Sequence, residues 1–113
     1  MEYQFKGKHY IASFKGMKYK PSRFIISVVK LALEQSNINI LSYQEYYFDN
    51  NAVTFVFLLS ESHCAVHTYP EHESMFIDCF TCGDNFDVTK FHNLLVQFLN
   101  PTNPQEYQIL NRS

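Results

Sequence analysis

The stretch AVTFVFLLSESHCAVHTY (Ala52–Tyr69) contains two apolar segments, 52–59 and 63–69, joined through Ser60-Glu61-Ser62-His63. Its content of β-branched and aromatic residues predicts two antiparallel strands at the centre of a sheet. The connection lacks the Gly, Asn or Pro that favoured hairpin turns use. A turn built from residues that do not favour turns is typical of functional or strained positions, so this hairpin is the first candidate for a site.

The segments around this hairpin complete the predicted fold. Apolar residues at helical spacing predict one helix with Ser22 as N-cap that stops near Asn37, and a second that starts at Asp87 and ends before Pro101. Further strands are predicted at 7–15, 38–48, 75–82 and 106–110. The order β-α-β-β-β-β-α-β predicts a single α+β domain over 1–113, a two-layer sandwich of an antiparallel sheet with two helices on one face. We expect a second chain to bury the other, aromatic-rich face, giving a homodimer.

Composition predicts a cytoplasmic globular protein. The 113 residues are 46% hydrophobic and 18% charged, as in ordinary folded domains. We expect no signal peptide and no membrane segment, since the N-terminus lacks an apolar core and no apolar run reaches about 18 residues. Three cysteines without a signal peptide indicate free thiols in a reducing compartment.

Basic residues are concentrated near the start, where 1–23 contains six of the nine Lys and Arg residues, interleaved with aromatics. Such a segment could bind single-stranded nucleic acid through phosphate contacts and stacking. The alternative is the solvated face of an amphipathic first strand. The net charge of −2 favours that alternative and no nucleic-acid partner.

The hairpin also carries groups that could do chemistry. With Glu61-Ser62 as the turn, Val56 faces His67 and Thr54 faces Tyr69. Thr54 and His67 are then diagonal neighbours, about 7–8 Å apart at the backbone, and form a hydroxyl–base pair.

Three readings of these residue types stay open at this point. The first is a zinc site at Cys79-x-x-Cys82 with nearby histidines. The second is a hydrolase with a Cys–His or Ser–His pair, although no nucleophile elbow is visible. The third is a purely structural role with buried thiols and histidines.

The stretch SESHCAVHTYPE (60–71), followed by Asp78 and CFTCG (79–83), resembles the small bacterial and archaeal S-adenosylmethionine decarboxylase proenzymes. Their hallmark is S-E-S-H-x-x-x-H-T-[WY]-P-E followed by D-x-F-T-C-G. Gly7-x-His9, the chain length and the element order also fit that family.

The resemblance implies that the chain cleaves its own Glu61–Ser62 bond, giving a 1–61 β chain and a 62–113 α chain. Ser62 would become a pyruvoyl group that forms a Schiff base with S-adenosylmethionine, without a metal. In this family His67 would accept a proton during processing, Thr54 would supply the processing hydroxyl, and Cys82 would donate a proton after CO₂ leaves.

The resemblance also implies how substrate is bound and where the product goes. Phe48 would stack on adenine, with Tyr69 and Glu71 lining the nucleoside pocket. The product would serve spermidine biosynthesis. Family members are dimers in which the hydroxyl–histidine pair of one chain serves the serine of the other.

Two features depart from the family pattern. Thr54 stands where a serine is usual, and the loop from Phe48 to Phe55 lacks the usual proline and glycines. The alternatives are therefore a pyruvoyl-dependent arginine or ornithine decarboxylase, or an unprocessed, inactive homologue that binds a partner.

Overall fold

A computed structural model describes residues 6–60, 62–82, 85–104 and 106–112. Its elements are β1 (Gly7–Phe14), α1 (Ser22–Gln35), β2 (Ile40–Tyr47), β3 (Val53–Leu59), β4 (Ser62–Tyr69), β5 (Ser74–Thr81), α2 (Val88–Leu99) and β6 (Tyr107–Arg112). A short 3₁₀ turn, Pro70–His72, connects β4 to β5. The element order is the predicted one.

The six strands form one sheet in the order β2-β3-β4-β5-β1-β6, and every neighbouring pair is antiparallel. Side chains alternate between the two faces: Phe55 and Phe57 of β3 are buried, whereas Val56 and Leu58 are exposed. Because side chains in a strand point alternately to opposite faces, one face is covered and the other is open. This confirms the predicted α+β fold class.

The core lies between the sheet and the two helices, which contact each other. Its largest fully buried side chains come from both layers: Tyr10, Phe14, Phe55, Phe57, Phe91, Leu33 and Leu95. Burying one such side chain contributes about 1.5–3 kcal/mol, which explains why an amphipathic helix stays on the sheet.

The predicted helix caps differ in outcome. The Asp87 carboxylate accepts a hydrogen bond from the Lys90 backbone N–H at 3.0 Å, so Asp87 caps α2 as predicted. The prediction that Ser22 caps α1 is wrong, because Pro21 is the N-cap and Ser22 is already helical. The Pro21 carbonyl accepts from the backbone N–H groups of Phe24 and Ile25, so the first turn starts one residue earlier.

The sheet face opposite the helices, the open face, has no covering element among the described residues. It exposes large apolar side chains, including Ile11, Val56, Leu58 and Phe76, of which Leu58 is 51% exposed. Exposed apolar side chains on one face of a sheet are typical of a surface that binds a partner. Among the residues that the structure describes, no helix is both long and apolar enough to cross a membrane.

Candidate active site

The register of the central hairpin brings Thr54 and His67 directly opposite each other. The predicted register, in which Val56 faces His67 and Thr54 faces Tyr69, is wrong by two residues. Ser62 already pairs with Leu59 as the first residue of β4, so only residues 60 and 61 lie between the paired strands. Glu61, which is predicted to precede the cleaved bond, lies outside the described residues.

Thr54 and His67 form a tight pair on the open face. The Thr54 hydroxyl lies 2.5 Å from the imidazole Nδ1. The His67 ring contacts the rings of Phe48 and Tyr69, with centroids 5.6 and 4.5 Å apart. We call these four residues the Thr54–His67 cluster. A hydrogen bond at Nδ1 fixes the imidazole orientation and leaves Nε2 for proton transfer.

The loop between β2 and β3 connects this cluster to Glu71. The Asn50 side chain donates to Glu71 Oε2 at 3.3 Å, and its oxygen accepts from the Ala52 backbone N–H at 3.1 Å. Asn51 adopts a left-handed conformation with φ of 67°, which asparagine tolerates better than most residues. Asparagines therefore shape the loop in which the family pattern has proline and glycine. The sequence indicated a turn here, but no signal in it pointed to the Glu71 contact.

Ser62 and Cys82 form a second group at the far end of β4. The Cys82 backbone N–H donates to Ser62 Oγ at 3.1 Å, and the two side chains approach to 3.5 Å between Oγ and Sγ. Ser62 pairs with Leu59 and Thr81, both buried. Directly opposite residues share a face, so Ser62 lies on the helix-covered side. We call this pair the Ser62–Cys82 cluster.

The three thiols lie in different environments. Cys64 and Cys79 are fully buried and directly opposite each other, whereas Cys82 is partly exposed. The hydrogen bond with Cys79, together with burial, raises the pKa of the Cys64 thiol. Cys82 is therefore the thiol placed to exchange a proton with a ligand. Cys79 is buried in the core, and the described residues contain no group of three His, Cys, Asp or Glu arranged to bind a metal.

A further polar group on the open face was not expected from the sequence. One oxygen of Asp78, Oδ1, lies 3.4 Å from Nε2 of both His9 and His63. The Phe80 ring lies beside both imidazoles, with centroids 5.7 and 6.2 Å away. Asp78 and Phe80 are part of the motif discussed above, so this motif contributes side chains to both faces of β5.

The two clusters are far apart within one chain. Ser62 and His67 are five residues apart on β4, and a strand rises about 3.3 Å per residue, which gives a separation of about 16 Å. Proton transfer needs donor and acceptor within about 3 Å, or one bridging water. Within one chain, the predicted site residues therefore form two groups that cannot exchange a proton.

Comparisons with known proteins agree on one family. Residues 8–113 match the family model described as S-adenosylmethionine decarboxylase. An S-adenosylmethionine decarboxylase proenzyme of Bacillus cereus is 35% identical over 104 residues, covering 89% of this chain and 85% of its own. One from Archaeoglobus fulgidus is 29% identical over 109 residues, covering 94% and 96%.

A solved structure gives the same result. The adenosylmethionine decarboxylase of Aquifex aeolicus superimposes with a TM-score of 0.78 at 25% identity, covering 96% of this chain and 90% of its own. The chain belongs to the S-adenosylmethionine decarboxylase family.

Proposed function

We propose that this protein is a self-processing, pyruvoyl-dependent S-adenosylmethionine decarboxylase, a carboxy-lyase that acts in the cytoplasm as a homodimer. The observation that carries the proposal is the Ser62–Cys82 cluster, because it places a hydroxyl and a partly exposed thiol together at the end of the central hairpin. The named relatives are proenzymes that decarboxylate S-adenosylmethionine, which supports the same reaction here.

Processing begins at the peptide bond before Ser62. The Oγ of Ser62 adds to the preceding carbonyl carbon, the C–N bond breaks, and the amide becomes an ester. Removal of the Ser62 Cα proton then eliminates the 1–61 chain as a carboxylate. Hydrolysis of the imine left at residue 62 takes up water and releases ammonia, which leaves a pyruvoyl group at the start of chain 62–113. The Cys82 backbone N–H supports the first step because it holds Ser62 Oγ in place.

The pyruvoyl group supplies an electron sink for the carbanion that decarboxylation creates. The geometry around residue 62 fits such a group, since the side chain is small, partly buried and next to the Cys82 thiol. Cys82 would return a proton to the substrate carbon once CO₂ has left. A thiol suits this role because its S–H can act as a general acid towards a carbanion.

A homodimer completes the site. The Thr54–His67 cluster lies on the open face, about 16 Å along β4 from its own Ser62. Pairing two open faces would bury the exposed apolar side chains and bring this cluster of one chain towards the main chain at Ser62 of the other, where the Cα proton is carried, while the Ser62 side chain stays on the covered side. His67 of one chain would then accept the Cα proton of the partner's Ser62.

The aromatic side chains of the Thr54–His67 cluster favour a nucleoside substrate. Phe48 is 43% exposed, and its ring is available to stack on adenine. Tyr69 packs against the ring of His67. The carboxylate oxygen of Glu71 that Asn50 does not contact would accept hydrogen bonds from the ribose hydroxyls. Arginine and ornithine lack the purine ring that such a platform would stack on. The product would feed spermidine biosynthesis.

Intact mass spectrometry of the denatured, reduced protein tests the proposal. We expect two chains that separate between Glu61 and Ser62, with the 62–113 chain one ammonia lighter than the same peptide beginning with serine. The Ser62→Ala variant is the matched control and should stay whole. A wild-type chain that remains uncleaved on incubation would contradict the proposal and favour the unprocessed, partner-binding homologue.

A further inference from the structure

A groove on the open face lies beside the Thr54–His67 cluster. Its volume is about 340 Å³, within the range of about 300–1,000 Å³ that is typical of small-molecule sites. Its walls combine apolar, aromatic and polar side chains: Ile11, Ser13, Ala65, His67, Phe76 and Asp78. Because His67 belongs both to this wall and to the cluster, the groove continues the proposed nucleoside site.

Phe76 supplies an aromatic wall of the groove. It lies directly opposite His67 on the neighbouring strand, so the two side chains share the open face. Its ring centroid is 5.2 Å from that of Tyr69, which extends the row of rings that starts at Phe48. Since Phe76 is 48% exposed, part of its ring remains available to a ligand.

Asp78 supplies a carboxylate to the same groove. One oxygen, Oδ1, lies 3.4 Å from Nε2 of both His9 and His63, and these contacts restrict the orientation of the carboxylate. The second oxygen, Oδ2, takes no part in them and can face a ligand. The described residues that line the groove include no lysine or arginine. The groove therefore favours a cation over an anion.

A ring and a carboxylate with apolar side chains between them suit a cation that carries carbon substituents. A sulfonium sulfur has three carbon substituents and no N–H group, so it cannot donate the hydrogen bonds by which proteins recognise ammonium groups. Its charge is stabilised instead by the faces of aromatic rings and by nearby carboxylates. The methyl and methylene groups on the sulfur would contact the apolar side chains of Ile11 and Ala65.

We propose that Phe76 and Asp78 bind the sulfonium group of S-adenosylmethionine and thereby select the charged substrate over an uncharged thioether. This inference rests on the proposed function, in which adenine stacks on Phe48. The sulfur of the substrate is bonded to the ribose, just as the groove adjoins the nucleoside site. The open face of the partner chain would close the groove and exclude water, which strengthens the attraction between unlike charges.

The test compares two nucleosides that differ by one methyl group and one positive charge. 5′-Dimethylsulfonio-5′-deoxyadenosine carries the charge and 5′-methylthioadenosine does not, and neither has the α-amino group that reacts with a pyruvoyl group. The inhibition constant of each nucleoside is measured with processed enzyme, as a competitor of S-adenosylmethionine. We expect the wild-type enzyme to bind the sulfonium nucleoside at least about tenfold more tightly than the thioether.

Three variants divide this preference between the ring and the carboxylate. Phe76→Leu keeps an apolar side chain and removes the ring, so binding of the sulfonium nucleoside should weaken about 2–30-fold, whereas binding of the thioether should change by less than about twofold. Phe76→Tyr keeps the ring and is the matched control, with the preference of wild type. Asp78→Asn keeps the shape and removes the charge, and it should also weaken binding of the sulfonium nucleoside alone.

Three outcomes would overturn the inference. The first is equal binding of both nucleosides by wild type, and the second is an unchanged preference in Phe76→Leu. The third is equal weakening of both nucleosides in Phe76→Leu, which would assign the ring a structural role. All three leave the proposed function intact, because the wild-type enzyme still cleaves itself and decarboxylates S-adenosylmethionine. A wild-type enzyme that neither nucleoside inhibits refutes the proposed adenine site and this inference together.

Discussion

The separation of the two clusters predicts that chains with different defects restore each other. A Ser62→Ala chain lacks the nucleophile and keeps the Thr54–His67 cluster. A His67→Ala chain has the opposite defect. Each variant alone should remain uncleaved. When both are coexpressed, a mixed dimer contains one site with both Ser62 and His67 and one site with neither.

The expected yield follows from the geometry and from random pairing. Because Ser62 and His67 are about 16 Å apart along one strand, their own chain cannot supply the missing contact of about 3 Å. Equal amounts of the two variants place about half of the His67→Ala chains opposite a Ser62→Ala chain. We therefore expect about half of the His67→Ala chains to be cleaved, and none of the Ser62→Ala chains.

Intact mass spectrometry of chains with distinguishable tags measures both fractions. As a control, His67→Ala coexpressed with a Ser62→Ala/His67→Ala double variant should show no cleavage, because neither chain of that dimer carries the histidine. Absence of cleavage in the first mixture, although mixed dimers are isolated through both tags, would refute the shared site. Cleavage of His67→Ala alone would refute the role of the histidine.

Three further outcomes are expected. Phe48→Ala should raise KM for S-adenosylmethionine about 5–150-fold, since base–aromatic stacking contributes about 1–3 kcal/mol. Self-cleavage of this variant, measured by intact mass, should stay normal. An unchanged KM would favour the arginine or ornithine alternative. Thr54→Ser should cleave at least as fast as wild type because it keeps the hydroxyl and frees χ1, whereas Thr54→Val should cleave much more slowly. Equal cleavage rates for the two variants would exclude a role of the Thr54 hydroxyl in processing. Burial lowers the pKa of His92, whose Nδ1 lies 2.7 Å from the Tyr10 hydroxyl. The contribution of His92 to the free energy of unfolding is therefore present above pH of about 6.5 and is lost as pH falls. The melting temperature of His92→Gln should depend less on pH between about 7 and 5 than that of wild type, and an unchanged pH profile would contradict this expectation.

The sequence by itself determined the element order, the fold class and the position of the critical hairpin. These features rest on local patterns, because side-chain alternation, helical spacing and turn residues act over a few neighbouring positions. Asp87 is an example, since a capping carboxylate contacts a backbone N–H only three residues away. The motif at 60–71 and 78–83 also lies in the sequence alone and indicates the family without any knowledge of contacts.

Only the tertiary structure decided what these residues touch. The pairing of Thr54 with His67 depends on where the hairpin turn ends, and a shift of two residues changes every cross-strand partner. The division of the site into two clusters depends on both the strand length and the face each side chain occupies. Such contacts join residues distant in sequence, so their geometry exists only once the sheet and helices have packed.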